Sequence, residues 1–299
     1  MKQYAIGVDI GGSHVCTCAV ALETGRLAAG SLCSRKVDCH APARTILGEW
    51  ADAIRRSAVA VGDGAIAGIG MALPGPFDYV RGISLIEGVD KFEHLFGLDL
   101  AASLPPLLGE YGRLPLRYVN DASAFALGEY HSGAGRGSQR MIALTLGTGI
   151  GSGFVDGGRL VTEGPEVPAN GWVYHLPFAE TIVDDQFSTR WFLRRHAELS
   201  GRDAAGVKEI AEAAADDALA RRIFDEYGVR FAEFLPPLCR AFSCRKVVLG
   251  GNISRAWPLF APALHEALAR AGADLDLSCT ELHDNAVMAG AAQLFRDIE

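Results

Sequence analysis

The residues of this sequence best suited to chemistry are carboxylates and glycines, placed where strands end. Asp9-Ile10-Gly11-Gly12-Ser13 sets a carboxylate at the end of an apolar run, followed by a two-glycine turn. Glycines let backbone N–H groups come close to phosphate oxygens, and such a carboxylate could hold Mg²⁺ directly or through water. An ordinary hairpin with Asp9 capping its turn would look the same. Gly147-Thr148-Gly149, within 146–151, is a second turn of this kind, to which Thr148 could add a hydroxyl donor. Leu249-Gly250-Gly251-Asn252-Ile253-Ser254 runs from a strand into two glycines and then a helix. It is either a plain strand-to-helix turn or a flat, side-chain-free surface for adenine or ribose. Val119-Asn120-Asp121-Ala122 sets a carboxylate at the C-terminal end of a strand, which in an α/β sheet faces a crevice. Phosphoryl transfer to an alcohol needs a base within hydrogen-bond reach of the hydroxyl and neutralisation of phosphate charge. Asp121 is the best placed base, although helix capping alone would also use an Asn-Asp pair.

Neither of the first two turns is a G-x-x-x-x-G-K-[ST] loop, and each is followed by a strand, which excludes the dinucleotide-binding fingerprint. The elements that must position these turns show an internal echo. Residues 4–27 and 141–160 each read as an apolar strand, a glycine turn, a returning strand and a closing turn with Gly-Arg-Leu. Glu23-Thr24-Gly25 and Asp156-Gly157-Gly158 suit the closing hairpins. Two copies suggest two similar lobes, the alternative being a chance likeness between two glycine-rich hairpins. Helical spacing of Ile46, Trp50, Ile54 and Val61 predicts a helix over 42–61. Further helices are expected at 121–131, 185–199, 218–242, 257–271 and 284–298, and strands at 66–73, 116–119 and 246–249. This alternation is that of an α/β protein. Pro105, Pro106 and Pro115 suggest a boundary between lobes 1–117 and 118–283, the first completed by the C-terminal helix, 284–299.

At 299 residues and 49% hydrophobic content, one large domain or two mid-sized ones can be built. A net charge of −8 argues against a nucleic-acid partner, which would call for a basic face. No apolar run approaches the roughly 18–20 residues of a membrane span, and the opening residues lack the features of a signal peptide. A cytoplasmic protein without a membrane partner is expected. The seven cysteines contain no CxxC pair and read as reduced, mostly buried thiols rather than metal ligands.

Taken in order, Asp9 to Ser13, Leu73-Pro74-Gly75-Pro76, Val119 to Ala122, 146–151 and Leu249 to Ser254 resemble the ROK family of sugar kinases. That family belongs to the actin-like and hexokinase-like ATPase superfamily, and the resemblance covers nearly the whole chain. It implies an α/β, two-lobed actin-like/ribonuclease H-like ATPase fold with an internal duplication, closing on ATP and a hexose. It makes Asp121 the catalytic base and places Gly75 and Asn120 at the sugar. Gly11, Gly12, Ser13, Gly147, Thr148 and Gly149 become phosphate loops, Gly250, Gly251 and Asn252 the nucleoside turn, and Asp9 the residue that holds Mg²⁺. Homodimers are common in the family.

Three departures stand out. His14 replaces the lysine of the family's G-G-T-K turn. Gly171-Trp172-Val173-Tyr174-His175 stands for G-E-x-G-H: His175 keeps its place at the sugar, whereas Trp172 replaces a sugar-binding Glu, for which nearby Glu166 could substitute. The zinc element C-x-C-G-x-x-G-C-x-E is missing. Structural zinc needs four ligands, so no zinc is expected, and Asp184 in the last Glu's place could still hold a sugar hydroxyl. Within 87–92 the family often places an Asn; none is present, and Lys91 reads as a solvated surface lysine. The implied activity is ATP-dependent phosphorylation of a hexose or N-acetylhexosamine at C6, of glucokinase type. The alternative is a sugar- or nucleotide-binding homologue with little turnover, which Trp172 and His14 favour. A transcriptional regulator would carry a helix-turn-helix ahead of the first core strand, for which this sequence has no room.

Overall fold

The computed structural model describes residues 3–62, 65–88 and 90–296. Contacts divide the chain into two compact units, Met1–Arg136 with Asp284–Glu299, and Gly137–His283. Among the described residues no helix is long and apolar enough to cross a membrane.

The first unit opens with β1 (Gln3–Ile10), β2 (His14–Ala21) and β3 (Cys33–Lys36), an antiparallel meander. Then follow α1 (Ala43–Val59), β4 (Ala65–Leu73), the short hairpin β5 (Phe77–Asp78) and β6 (Ile83–Ser84), α2 (Leu100–Ser103), β7 (Leu116–Asn120) and α3 (Asp121–Ser132). The sheet order is β3-β2-β1-β4-β7, with β1, β4 and β7 parallel. Parallel strands end on the same edge, so the carboxylates at the ends of β1 and β7 share one rim. α1 buries Ile46, Leu47, Trp50 and Ile54, residues one helical turn apart, against this sheet. The C-terminal helix, Ala286–Gln293, lies in a groove with no room for side chains. A Cβ at Gly7, Gly70 or Gly128 would fall on that helix's backbone, and one at Gly290 would fall on α3.

The second unit contains β8 (Arg140–Leu146), β9 (Ile150–Asp156), β10 (Arg159–Leu160), β11 (Pro177–Phe178) and β12 (Thr181–Ile182). It continues with α4 (Val183–Phe187), α5 (Thr189–Ser200), α6 (Val207–Ala213), α7 (Ala218–Ala241), β13 (Lys246–Gly250), α8 (Trp257–Arg270) and β14 (Asp276–Cys279). Its sheet order, β10-β9-β8-β13-β14, repeats the first: three antiparallel strands, then two joined in parallel. The duplicated glycine hairpins of the sequence are thus the first strand pair of two sheets of one topology. Phe187, Phe192, Tyr227, Phe231 and Phe260 form a fully buried aromatic core, with ring centroids of Phe192 and Tyr227 4.6 Å apart.

Several expectations are adjusted. The division falls after Arg136 rather than after 117, because β7 enters the first sheet beside β4 and α3 packs on the C-terminal helix. Pro105 opens a short 3-10 turn and Pro115 precedes β7, so both belong to connections inside the first unit. The helix expected at 185–199 is broken at Ser188, whose backbone is extended. The helix expected at 284–298 spans Ala286–Gln293, and 297–299 lie outside the described residues, as does Val89 of the 87–92 segment.

Candidate active site

In the first unit, the turn after β1 closes by the Gly11 N–H donating to the His14 carbonyl (2.9 Å), and Gly11, Gly12 and Ser13 are exposed. Neither glycine has positive φ. A Cβ at Gly11 would meet nothing nearer than 3.5 Å, and one at Gly12 would meet only Lys91 Cδ at 3.8 Å. The turn therefore offers bare backbone, as an approaching phosphate requires. Ser13 Oγ and His14 Nδ1 hydrogen bond to each other at 2.9 Å.

Asp9 and Asp121 come together on the carboxyl rim of this sheet. Burial, helped by the charges of Asp121 and Asp284, pushes the Asp9 carboxyl up to about 7. A site this short of positive charge suits a divalent cation, so the donor set fits Mg²⁺ at Asp9. Asp121 is the first residue of α3 and its Oδ1 accepts from the Ala122 N–H at 2.8 Å. Burial raises its carboxyl above the ordinary range, against the pull of that N–H and of the Lys91 charge. A carboxylate with a raised pKa accepts a proton more readily, which a general base requires. Asn120 caps α3, its Oδ1 accepting from Ala122 and Ser123, and its Nδ2 donates to the Tyr79 hydroxyl at 3.4 Å. Tyr79 in turn donates to the Leu73 carbonyl at 3.0 Å, which ties the exposed Gly75 segment to α3. Asp284, which precedes the C-terminal helix, is a member of this cluster that the sequence reading did not name.

In the second unit, the Gly147-Thr148-Gly149 turn joins β8 to β9, with Thr148 exposed. Its support comes from the chain around Ser188. Thr189 donates to the Gly147 carbonyl through its N–H (2.8 Å) and hydroxyl (3.0 Å), and Arg190 donates to the Thr148 carbonyl at 3.2 Å. Asp184 accepts from the Ile150 N–H at 2.8 Å and pairs with Arg190. Both oxygens of the Asp184 carboxylate are thus engaged in holding the glycine turn, a task other than the sugar contact expected of it. A side chain at position 149 would press on Asp184 at 2.9 Å.

Glu166 is placed elsewhere. It pairs with Arg140 (2.9 Å) at the start of β8, six residues and about 20 Å of strand from the glycine turn. Its carboxylate is thus held by an ion pair with Arg140. His175 and Tyr174 are exposed, with ring centroids 5.1 Å apart, and Trp172 lies 6.2 Å from Tyr174. Ser152 fixes this segment by donating to the Gly171 carbonyl (2.7 Å) and accepting from the Val173 N–H (3.0 Å). Gly250 ends β13, and Gly251, at φ +80°, leads into the exposed Asn252. A Cβ at Gly251 would strike the backbone of Leu146, so the turn after β13 and the end of β8 press directly together. Among the described residues, no three His, Cys, Asp or Glu side chains form a metal-binding group.

A model of the ROK family matches residues 5–172. The chain is 31% identical over 241 residues to a glucokinase of Thermotoga maritima, covering 72% of this chain and 74% of that one. It superposes on a ROK hexokinase from Thermus thermophilus with a TM-score of 0.78 at 25% identity, covering 97% of each chain. A ROK family glucokinase from Streptomyces griseus, solved in complex with glucose and AMPPNP, gives a TM-score of 0.70 at 25% identity over 97% of this chain and 98% of that one. These structures carry the two-lobed, actin-like ATPase fold, which this chain shares. Matched over more than half of its length by the family model and over nearly all of it by family structures, the chain belongs to the ROK family.

Proposed function

We propose that this chain is an ATP-dependent sugar kinase of glucokinase type, acting on the C6 hydroxyl of a hexose or N-acetylhexosamine. The observation that carries this reading is Asp121, a buried-side carboxylate at the start of α3 with a raised pKa, beside a bare glycine turn and a second carboxylate, Asp9. The names of the relatives, glucokinase and hexokinase, support it. Asp121 takes the proton of the attacking hydroxyl as the new O–P bond forms and the bond from the γ-phosphorus to the bridging oxygen of ATP breaks. Each unit offers a glycine turn whose backbone N–H groups suit phosphate oxygens, after β1 in the first and after β8 in the second, and Gly250, Gly251 and Asn252 of the second suit a nucleoside. Asp9 would hold Mg²⁺, which when bound neutralises phosphate charge. Asn120, Gly75 and His175 are assigned to the sugar.

The test is ADP release with ATP, Mg²⁺ and a panel of hexoses and N-acetylhexosamines. Asp121→Asn is expected to lower kcat by about 10²–10⁴-fold with ATP binding retained. A near-normal rate in that variant would refute the assignment. A second reading, a sugar- or nucleotide-binding homologue without turnover, is favoured by one observation: Trp172 replaces a carboxylate, and Glu166 and Asp184 are both otherwise engaged. Calorimetric binding of a sugar or ATP, with no ADP release for any sugar, would select it.

A further inference from the structure

Lys91 belongs to none of the motifs above, and its surroundings set it apart from a solvated lysine. Its stem runs beside the phosphate turn, with Cδ 3.8 Å from where a Cβ of Gly12 would stand, so the ammonium begins from the turn itself. The side chain is partly buried, and it makes no hydrogen bond or ion pair with any described residue, although Glu87, Asp90 and Glu93 are close in sequence. Its charge is instead felt at Asp121.

The backbone holds it there at both sides. Asp90 and Phe92 each have φ of +57°, a region that side chains other than glycine avoid and keep only when their surroundings impose it. Phe92 is buried, its ring 5.7 Å from that of Trp50 and its N–H donating to the Cys39 carbonyl at 3.0 Å. The Asp90 N–H donates to the Glu93 carboxylate at 3.2 Å. A strained segment anchored on the core thus presents one cation to a rim that otherwise carries Asp9, Asp121 and Asp284. The basic place in the turn itself is taken by His14, which bonds to Ser13. A lysine of partly buried side chain, with no ion pair among the described residues and beside a turn of bare backbone, lacks an anion.

We propose that Lys91 is a catalytic residue of this kinase, its ammonium contacting the phosphoryl group as it passes to the sugar oxygen. This rests on the kinase reading above. The O–P bond to the bridging oxygen of ATP breaks, the O–P bond to the sugar forms and the hydroxyl proton goes to Asp121. The Lys91 ammonium takes no part in that proton transfer and donates a hydrogen bond to a non-bridging oxygen whose charge it offsets.

The experiment compares the full chain with Lys91→Met and Lys91→Arg. Thermal unfolding checks that each variant folds, calorimetry reads ATP and AMP binding, and ADP release reads turnover. Lys91→Met is expected to lower kcat by about 10²–10³-fold, the loss of one donor to the reacting phosphate, with the sugar KM little changed. ATP affinity falls while AMP affinity holds, and Lys91→Arg recovers part of both losses. A folded Lys91→Met that turns over and binds ATP like the wild type overturns the proposal. Failure of the kinase reading looks different: the wild type itself then releases no ADP with any sugar. In that case the catalytic role is overturned with it, and a selective loss of ATP binding in Lys91→Met would mark a phosphate contact alone.

Discussion

Asp9 sits close enough to Asp121 and Asp284 to feel both charges, and with burial this lifts its carboxyl from the ordinary 3.8 to about 7. The folded chain therefore holds this proton more tightly than the unfolded chain does. Stability from this group is full below 3.8 and is lost as pH rises to about 7, beyond which the loss is constant. Asp9→Asn, which cannot charge, is expected to melt above the wild type in Mg²⁺-free buffer, by a margin that widens from pH 5 to 7 and then levels off. Added Mg²⁺ at pH 8 should raise the melting temperature of the wild type and not of the variant. A margin independent of pH would refute the charge cluster. The local signs of this site were legible, because an Asp before two glycines and an Asn-Asp pair before a helix lie within five residues of sequence. Asp284-Asn285 before the C-terminal helix carried the same capping signature, yet its nearness to Asp9 depends on a helix returning from the far end of the chain. The partner of Glu166 was hidden for a related reason: the residue lies near Trp172 in sequence, whereas Arg140, which pairs with it, comes from the start of β8.

The turn between β8 and β9 is a different kind of object from the turn after β1, since side chains from α4 and α5 hold it. Asp184 is the centre of that support. Asp184→Ala leaves the Ile150 N–H and the Arg190 guanidinium without their acceptor and is expected to cost about 1–3 kcal/mol, the usual penalty for orphaning such a group. It should raise the KM for ATP and leave the KM for the sugar near its wild-type value. The reverse pattern in steady-state kinetics would return Asp184 to the sugar. The extended Ser188 that makes this geometry was not visible in the sequence, because apolar spacing runs on through 187–192 as though one helix continued. The long amphipathic helices and the capped start at Asn120 were legible, whereas the cap at Asp217 is seen only in the structure. Strands of two to four residues, such as β3, β10 and β14, are too short to show alternation and take their place from the ladder they join.

Two sheets of one topology make the duplication plain at the scale of the molecule, but the two units are not built alike along the chain. Gly137–His283 is continuous and owns its aromatic core, whereas the first unit is interrupted and recovers its last helix only after His283. That helix fills a groove lined by Gly7, Gly70 and Gly128, where backbone meets backbone. Without it the apolar faces of β1 and β4 and the flank of α3 that carries Asp121 lose their cover. A fragment of 137–283 is therefore expected to fold by itself with a cooperative thermal transition. A fragment of 1–136 is expected to show none. Joining 284–299 to residue 136 through a short Gly/Ser linker should restore the transition, since Arg136 and Asp284 belong to the same unit. In the intact chain, Gly290→Leu should act like the deletion at one point, forcing α3 from the helix and lowering turnover together with stability. Near-UV circular dichroism and melting of the three fragments decide the matter: a cooperative 1–136 would mean that the first unit holds α3, and with it Asp121, by other contacts.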